Sequence, residues 1–288
     1  MISFQKEQIF IVTGASSGIG EATAILLNSL GATIIGIGRS KERLEAMKTE
    51  CKYPQNVFLE QKDLAEDIEN LPNYVKSLKE KYGKFSGMAY CAGVAGLNPL
   101  KAITYEYAKK IFDINYFATL MMIKGIADKR NNISSDGKGY HTSIVCVSSI
   151  NALLCLTGQS IYVGTKSALS ACSTTISKEI TQNNIRINCV LPSMIRTPMT
   201  AAVAAEYSFI MDKCEYPFGW GEPNDVANMI CFLLSDKAKF ISGQNYVIHS
   251  NGGGGGIMIK KVFVVGGDGF ARDEMIGKYV AIFSKGEL

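Results

Sequence analysis

Histidine is nearly absent: the 288 residues contain only His141 and His249. A three-histidine metal centre within one chain is thereby excluded, as is any mechanism that needs a cluster of imidazoles. The eight cysteines (51, 91, 146, 155, 172, 189, 214 and 231) show no CxxC pair and no Cys/His ligand spacing. Several fall inside apolar strands or helices, so they read as reduced, buried thiols, and no metal site is expected. No stretch reaches the roughly 18–20 unbroken apolar residues of a membrane span. The start, Met1-Ile2-Ser3-Phe4-Gln5-Lys6-Glu7, lacks the basic opening and long apolar run of a signal peptide. A soluble, cytoplasmic protein with no membrane partner is the expectation. Basic tracts are missing too. The net charge is +4, with 30 basic and 26 acidic residues scattered along the chain, which argues against nucleic acid as a partner.

Apolar residues are plentiful, at 47%, enough to fill the core of one large α/β domain or two small ones. They come in a repeating order. Short β-branched runs at 9–12, 33–37, 57–59, 87–91, 143–147, 187–191 and 246–248 predict seven strands. Helical patterns after the first glycines and at 40–50, up to 82, 104–130, 162–182 and 225–234 fall between them. Strands separated by helices cannot be hairpins. They require right-handed crossovers, and so predict a single doubly wound, Rossmann-type α/β domain with a seven-stranded parallel sheet. Ligands of such sheets bind beyond the carboxyl ends of the strands, where the strand order reverses. Functional residues should therefore sit in the loops just after each strand.

The first of these loops is TGASSGIG (13–20). Glycines there let the backbone approach a diphosphate, and the following helix offers free N–H groups and its positive dipole end. A glycine-rich turn alone has a plain alternative, a tight strand-to-helix connection; its place after the first strand gives it weight. The second strand ends Gly36-Ile37-Gly38-Arg39-Ser40. An acidic residue at this strand end would hold the adenosine ribose and repel a 2′-phosphate. Arg39, whose guanidinium can fork onto a phosphate, and Ser40 favour NADP(H) over NAD(H) instead, unless Arg39 is simply a solvated charge at a helix start. Asp63 and Leu64 end the third strand, where a carboxylate could meet the adenine amino group or merely cap a helix. Small residues, Cys91-Ala92-Gly93, end the fourth and leave room for a cofactor backbone.

Ser149 follows the fifth strand. Tyr162 lies thirteen residues later and Lys166 four beyond it. An i, i+4 pair shares one helix face, so Lys166 can approach the Tyr162 hydroxyl. An ammonium beside a phenol lowers its pKa from about 10. Such a tyrosine can exchange a proton with a carbonyl or alcohol, while Ser149 holds the same oxygen.

With these residues in place the chain resembles the short-chain dehydrogenase/reductase family over roughly residues 7–253. The resemblance rests on TGASSGIG, CAG (91–93), the asparagine of FDIN (Asn115), VSS (147–149), YVGTK (162–166) and PSMIRTPM (192–199). It implies that Tyr162 donates the proton in reduction and that Lys166 lowers its pKa and holds the nicotinamide ribose. It implies that Ser149 orients the carbonyl and that Asn115 supports a water-linked proton path through Lys166. Gly14, Ser16, Ser17, Gly18, Ile19 and Gly20 would frame the diphosphate, and Pro192, Ile195 and Thr197 would meet the nicotinamide end. The run GEPNDVANMICFLLSD with ISGQNYVIHSNGG resembles the bacterial 3-oxoacyl-acyl-carrier-protein reductase-like branch, which implies a small-molecule carbonyl or alcohol substrate. A homo-oligomer, tetramer or dimer, is a further implication.

Three positions depart from the family. Cys91 stands where asparagine is frequent, which costs a side-chain hydrogen bond and is expected to loosen the cofactor turn. Ser193 replaces glycine, and Ser17 replaces a basic residue common among NADP-preferring members, so the NADP(H) expectation leans on Arg39. A substrate lid over about 193–220 contains Met194, Met199, Tyr207, Phe209, Ile210, Met211, Phe218 and Trp220. It suits an apolar or acyl-like ketone, unless this segment only packs on its own core. After the catalytic domain, 1–253, a five-glycine stretch leads into an extension, 254–288. It is read either as a segment packed on a neighbouring subunit or the active-site mouth, or as a flexible appendage. Two rival readings of the whole stay open. One is an alcohol or hydroxysteroid-type dehydrogenase working in the oxidative direction. The other is a non-catalytic NADP(H)-binding regulator, which the presence of Asn115, Ser149, Tyr162 and Lys166 disfavours.

Overall fold

The computed structural model describes residues 1–135, 141–204, 216 and 218–250. Seven strands form one all-parallel sheet: β1 Ile9–Thr13, β2 Thr33–Gly38, β3 Val57–Gln61, β4 Gly87–Tyr90, β5 Thr142–Val147, β6 Ile185–Pro192 and β7 Asn245–Ile248. Their order across the sheet is β3-β2-β1-β4-β5-β6-β7, so the side on which successive strands are added switches between β1 and β4. The doubly wound architecture expected from the sequence is the one observed.

Every residue of β2, β4, β5 and β6 is buried, because helices cover both faces of the sheet. Helices α1 (Gly18–Ser29), α2 (Lys41–Glu50) and α9 (Pro223–Leu234) pack on one face, through Leu27, Leu44, Met47, Val226 and Ile230. Helices α3 (Leu71–Tyr82), α5 (Ala118–Ala127) and α7 (Ser160–Ile180) cover the other, through Val75, Leu78, Met122, Ile126 and Leu169. The strand period of two divides the side chains: Phe10 and Val12 join the first core, and Ile11 between them joins the second. Each fully buried side chain of this size contributes about 1.5–3 kcal/mol relative to exposure.

Helix ends follow local chemistry. Ser40 begins α2, its hydroxyl accepting from Arg43 N at 3.3 Å. Pro223 opens α9, and Asp225 accepts from the Glu222 backbone N–H at 2.7 Å. The one long helix expected over 104–130 is instead broken. α4 (Tyr105–Phe112), capped by Thr104, passes through a π-helical turn, Asp113–Phe117, into α5. The wider turn admits one extra residue and holds buried Asn115, which bonds Val94 in the loop after β4. The extra residue shifts the apolar pattern by a single position, too small a break to separate the two helices in the sequence over 104–130. Two short helices, α6 (Asn151–Leu154) and α8 (Pro198–Ala204), lie after β5 and β6; the first was not expected from the sequence. The 254–288 extension lies outside the described residues.

The thiols are less uniform than expected. The seven described cysteines are free; Cys51, Cys146, Cys189 and Cys231 are buried, Cys91 and Cys172 half-buried, and Cys155 exposed. Cys155 follows α6 in a left-handed conformation, φ 52°, on a surface loop rather than in the core. Among the described residues no helix is long and apolar enough to cross a membrane.

Candidate active site

A cleft of about 280 Å³ opens over the carboxyl ends of the strands, at the reversal between β1 and β4. One end is built from backbone. Gly14 (φ 66°) and Gly18 (φ 59°) take left-handed conformations that side chains resist. A Cβ on Gly20 would lie 2.3 Å from the Gly14 carbonyl oxygen, so this position accepts nothing larger. Ser17 precedes α1 but its side chain makes no capping hydrogen bond. The first N–H groups of α1 therefore remain for an anion. Ser16, Ser17, Gly18, Ile19 and Gly20 all line the cleft.

The adjoining loops close the same space. Arg39 is exposed and lines the cleft beside Lys62 and Asp63. Ser40 does not line it; its hydroxyl is committed to α2, and to Glu42 at 2.9 Å. Asp63 accepts from Ala65 N at 2.9 Å, which fixes the turn that brings buried Leu64 to the wall. Cys91, Ala92 and Gly93 form the floor. Here the expected loosening is not observed. Thr13 Oγ1 accepts from both Cys91 N and Ala92 N at 3.1 Å, tying the loop after β4 to the glycine turn. Thr13 opens the TGASSGIG motif, yet the sequence reading gave it no part.

Asn115 does not line the cleft. Its amide accepts from Val94 N (2.8 Å) and donates to Val94 O (3.0 Å) and Thr165 Oγ1 (3.2 Å), so it locks the loop after β4 against α7. A Cβ on Gly93 would lie 3.1 Å from Asn115 Oδ1 and 3.5 Å from Lys166 Nζ. The floor at this point is as thin as a main chain allows.

At the other end Ser149, Tyr162 and Lys166 line the cleft together. Tyr162 and Lys166 share one face of α7, with Lys166 Nζ 5.7 Å from the Tyr162 ring centroid. Ser148 donates to the Lys166 carbonyl at 2.9 Å and accepts from Ser170 at 2.9 Å, holding α7 on the end of β5. Lys166 is buried and donates to Val147 O at 2.9 Å. Burial lowers its pKa from 10.5 to about 8, since a low-dielectric setting disfavours the ammonium. Tyr162 corrects an expectation. Burial pushes its phenol above the usual value, and the hydrogen bond from Ser149, rather than the Lys166 charge, acts downward. Lys166 is itself desolvated and turned toward a carbonyl, so it does not offset the burial of the ring in the free chain.

Pro192, Ile195 and Thr197 also line the cleft, with Ser193 and Met199. Thr197 stands against the glycine turn; a Cβ on Gly18 would lie 3.0 Å from its methyl. Residues on either side of the 197–219 segment meet: Ile195 pairs with Gly221, and Arg196 contacts Glu222 at 2.8 Å and stands 5.9 Å from the Trp220 ring. Phe218 is exposed, whereas Tyr207, Phe209, Ile210 and Met211 lie outside the described residues. Among the described residues no cluster of three or more metal-ligating side chains occurs.

Comparison with known proteins agrees with this geometry. The family described as enoyl-(acyl carrier protein) reductase matches residues 14–253. A 3-oxoacyl-[acyl-carrier-protein] reductase of Thermotoga maritima is 31% identical over 259 residues, covering 85% of this chain and 97% of that protein. A short-chain type dehydrogenase/reductase from Mycobacterium ulcerans superposes with TM-score 0.77 at 29% identity, covering 87% of this chain and 90% of the other. An actinorhodin polyketide ketoreductase, crystallised with NADPH, has the same fold: TM-score 0.78 at 21% identity, covering 88% and 100%.

Proposed function

The chain belongs to the short-chain dehydrogenase/reductase family of oxidoreductases, and within it we propose an NADP(H)-dependent reductase that converts a ketone, of apolar or 3-oxoacyl type, to a secondary alcohol. The observation that carries this reading is a single cleft lined by the glycine turn together with Ser149, Tyr162 and Lys166. Gly14, Ser16, Ser17, Gly18, Ile19 and Gly20 hold the diphosphate on open N–H groups, and Asp63 and Leu64 flank the adenine. Arg39, which lines the cleft at the end of β2 without an acidic competitor there, would hold the ribose 2′-phosphate. Lys166 bonds the nicotinamide ribose, and Pro192, Ile195 and Thr197 border the nicotinamide. When bound, the cofactor supplies the hydride.

The protein supplies position and a proton. Tyr162 keeps its proton at neutral pH because burial raises its pKa, which suits a proton donor. The substrate oxygen lies between the Tyr162 and Ser149 hydroxyls, and Ser149 steadies the phenolate left after transfer. Asn115 acts through the loop it locks, keeping Gly93 thin and Lys166 in reach. The exposed side chain of Met199, which lines the cleft, favours an apolar substrate.

Fluorescence titration with NADPH and NADH tests the cofactor end. NADPH is expected to bind about 10–100-fold more tightly, the yield of a charge-assisted phosphate contact, and Arg39→Ala to abolish the difference. Equal binding of both nucleotides, or a preference for NADH, overturns it. A ketone panel with NADPH, with Tyr162→Phe as the inactive control, tests the chemical end.

A further inference from the structure

The two carriers of the reacting oxygen, Ser149 and Tyr162, sit on separate elements. Ser149 ends the turn after β5, and Tyr162 lies in the first turn of α7, beyond a loop over 155–159. Side chains from both elements meet across that loop. Asn151 Nδ2 donates to Gln159 Oε1 at 2.6 Å, and both residues are half-buried. Gln159 stands immediately before α7, its carbonyl accepting from Val163 N at 2.7 Å. The Asn151 backbone N–H donates to Ser149 Oγ at 3.2 Å. A serine hydroxyl has one proton to give and two lone pairs to fill. With one lone pair held by Asn151, the proton of Ser149 is directed to another oxygen, that of Tyr162 or of the substrate.

We propose that Asn151 and Gln159 are positioning residues that set the separation and orientation of Ser149 and Tyr162, by joining the turn after β5 to the start of α7. The inference rests on the reading of Ser149 and Tyr162 given above. The amide pair acts through these hydroxyls and touches neither cofactor nor reacting atoms. Losing it leaves the residues in the chain but lets the Ser149 turn drift from α7. Because Ser149 is the group that draws the Tyr162 pKa downward, the drift also shows as a further upward displacement of Tyr162 ionisation.

The experiment compares Asn151→Ala, Gln159→Ala, their double variant and the exchanged pair Asn151→Gln/Gln159→Asn, which keeps the combined side-chain length. Each Ala variant should lower kcat about 10-fold to 100-fold, the order expected for a small misplacement of reacting groups, with NADPH affinity unchanged. The double variant should be no worse than either single one, the exchanged pair should recover most of the rate, and Asn151→Ala should cost nothing further in a Ser149→Ala background. A measurement without turnover separates this inference from the reductase reading. The phenol absorbance of wild type minus that of Tyr162→Phe reports Tyr162 ionisation against pH, and Asn151→Ala should move it upward. Additive losses, an undiminished effect in Ser149→Ala, or an unmoved Tyr162 titration would overturn the proposal, whatever substrate the enzyme takes.

Discussion

Two cations are buried at opposite ends of the sheet, and they are treated differently. Arg186, at the amino end of β6, donates to the carbonyls of Ile241 (3.1 Å), Leu233 (2.9 Å) and Ser235 (3.2 Å). These carbonyls belong to the end of α9 and the loop after it, where a helix leaves acceptors unpaired and its dipole is negative. Lys166, at the carboxyl ends, donates to the Val147 carbonyl and lines the cleft. Its electrostatic neighbours are three thiols, Cys189, Cys146 and Cys91, with no carboxylate among them. Burial lowers the pKa of both groups. The arginine is spent on closing a helix end and holds the fold together. The lysine keeps donors directed at the cleft and bears a desolvation cost that the fold does not need. A buried charge with its partners inside the protein reads as structure; one whose remaining donors face a cleft reads as function.

Substituting each cation by methionine should separate these roles most sharply. Lys166→Met is expected to lower kcat about 10³-fold, within the range attributed to acid–base machinery, while leaving the thermal midpoint equal or higher. Turnover and calorimetry on the same sample check both halves, and a large loss of stability would erase the contrast. Arg186→Met should do the reverse. It takes one donor from each of the Leu233, Ser235 and Ile241 carbonyls, which keep Ser143, the Ala238 N–H and Asn188, for a loss of about 3 kcal/mol in urea unfolding, with kcat per folded molecule unchanged. The smallest effect is in pH. The folded value for Lys166, about 8, lies below its ordinary 10.5, so between these values the unfolded chain binds the extra proton. This residue therefore makes the native state more stable as pH rises through that window, by about 3 kcal/mol across all of it. The urea midpoint of wild type measured against Lys166→Met from about pH 7.5 to about pH 10 should show the rise in wild type alone. A parallel response in both would mean that Lys166 is not desolvated.

Much of this was legible in one dimension. Strand runs and the helices between them specify a parallel sheet, because period-two and period-3.6 patterns depend only on neighbours in the chain. The glycine turn was legible for the same reason: glycine alone enters left-handed backbone without cost, and Gly14 and Gly18 do so here. So was the face shared by Tyr162 and Lys166, four residues apart on one helix. Illegible were features made by distant residues meeting. Thr13 reaches Cys91, Asn115 reaches Val94 and Thr165, and Asn151 reaches Gln159 across a loop. Ser40 looked like a cofactor residue from its place after β2, but the start of α2 claimed its hydroxyl.

By itself, then, the sequence determined the order of elements, the backbone cradle and the type of chemistry, since each depends on local conformation and on residues close in the chain. Only the tertiary structure decided what burial does to that chemistry. The pKa of Lys166 falls to about 8 and that of Tyr162 rises because the helices and loops folded around them remove the water that would otherwise stabilise their charged forms, and solvent exclusion belongs to the assembled fold rather than to any segment of it.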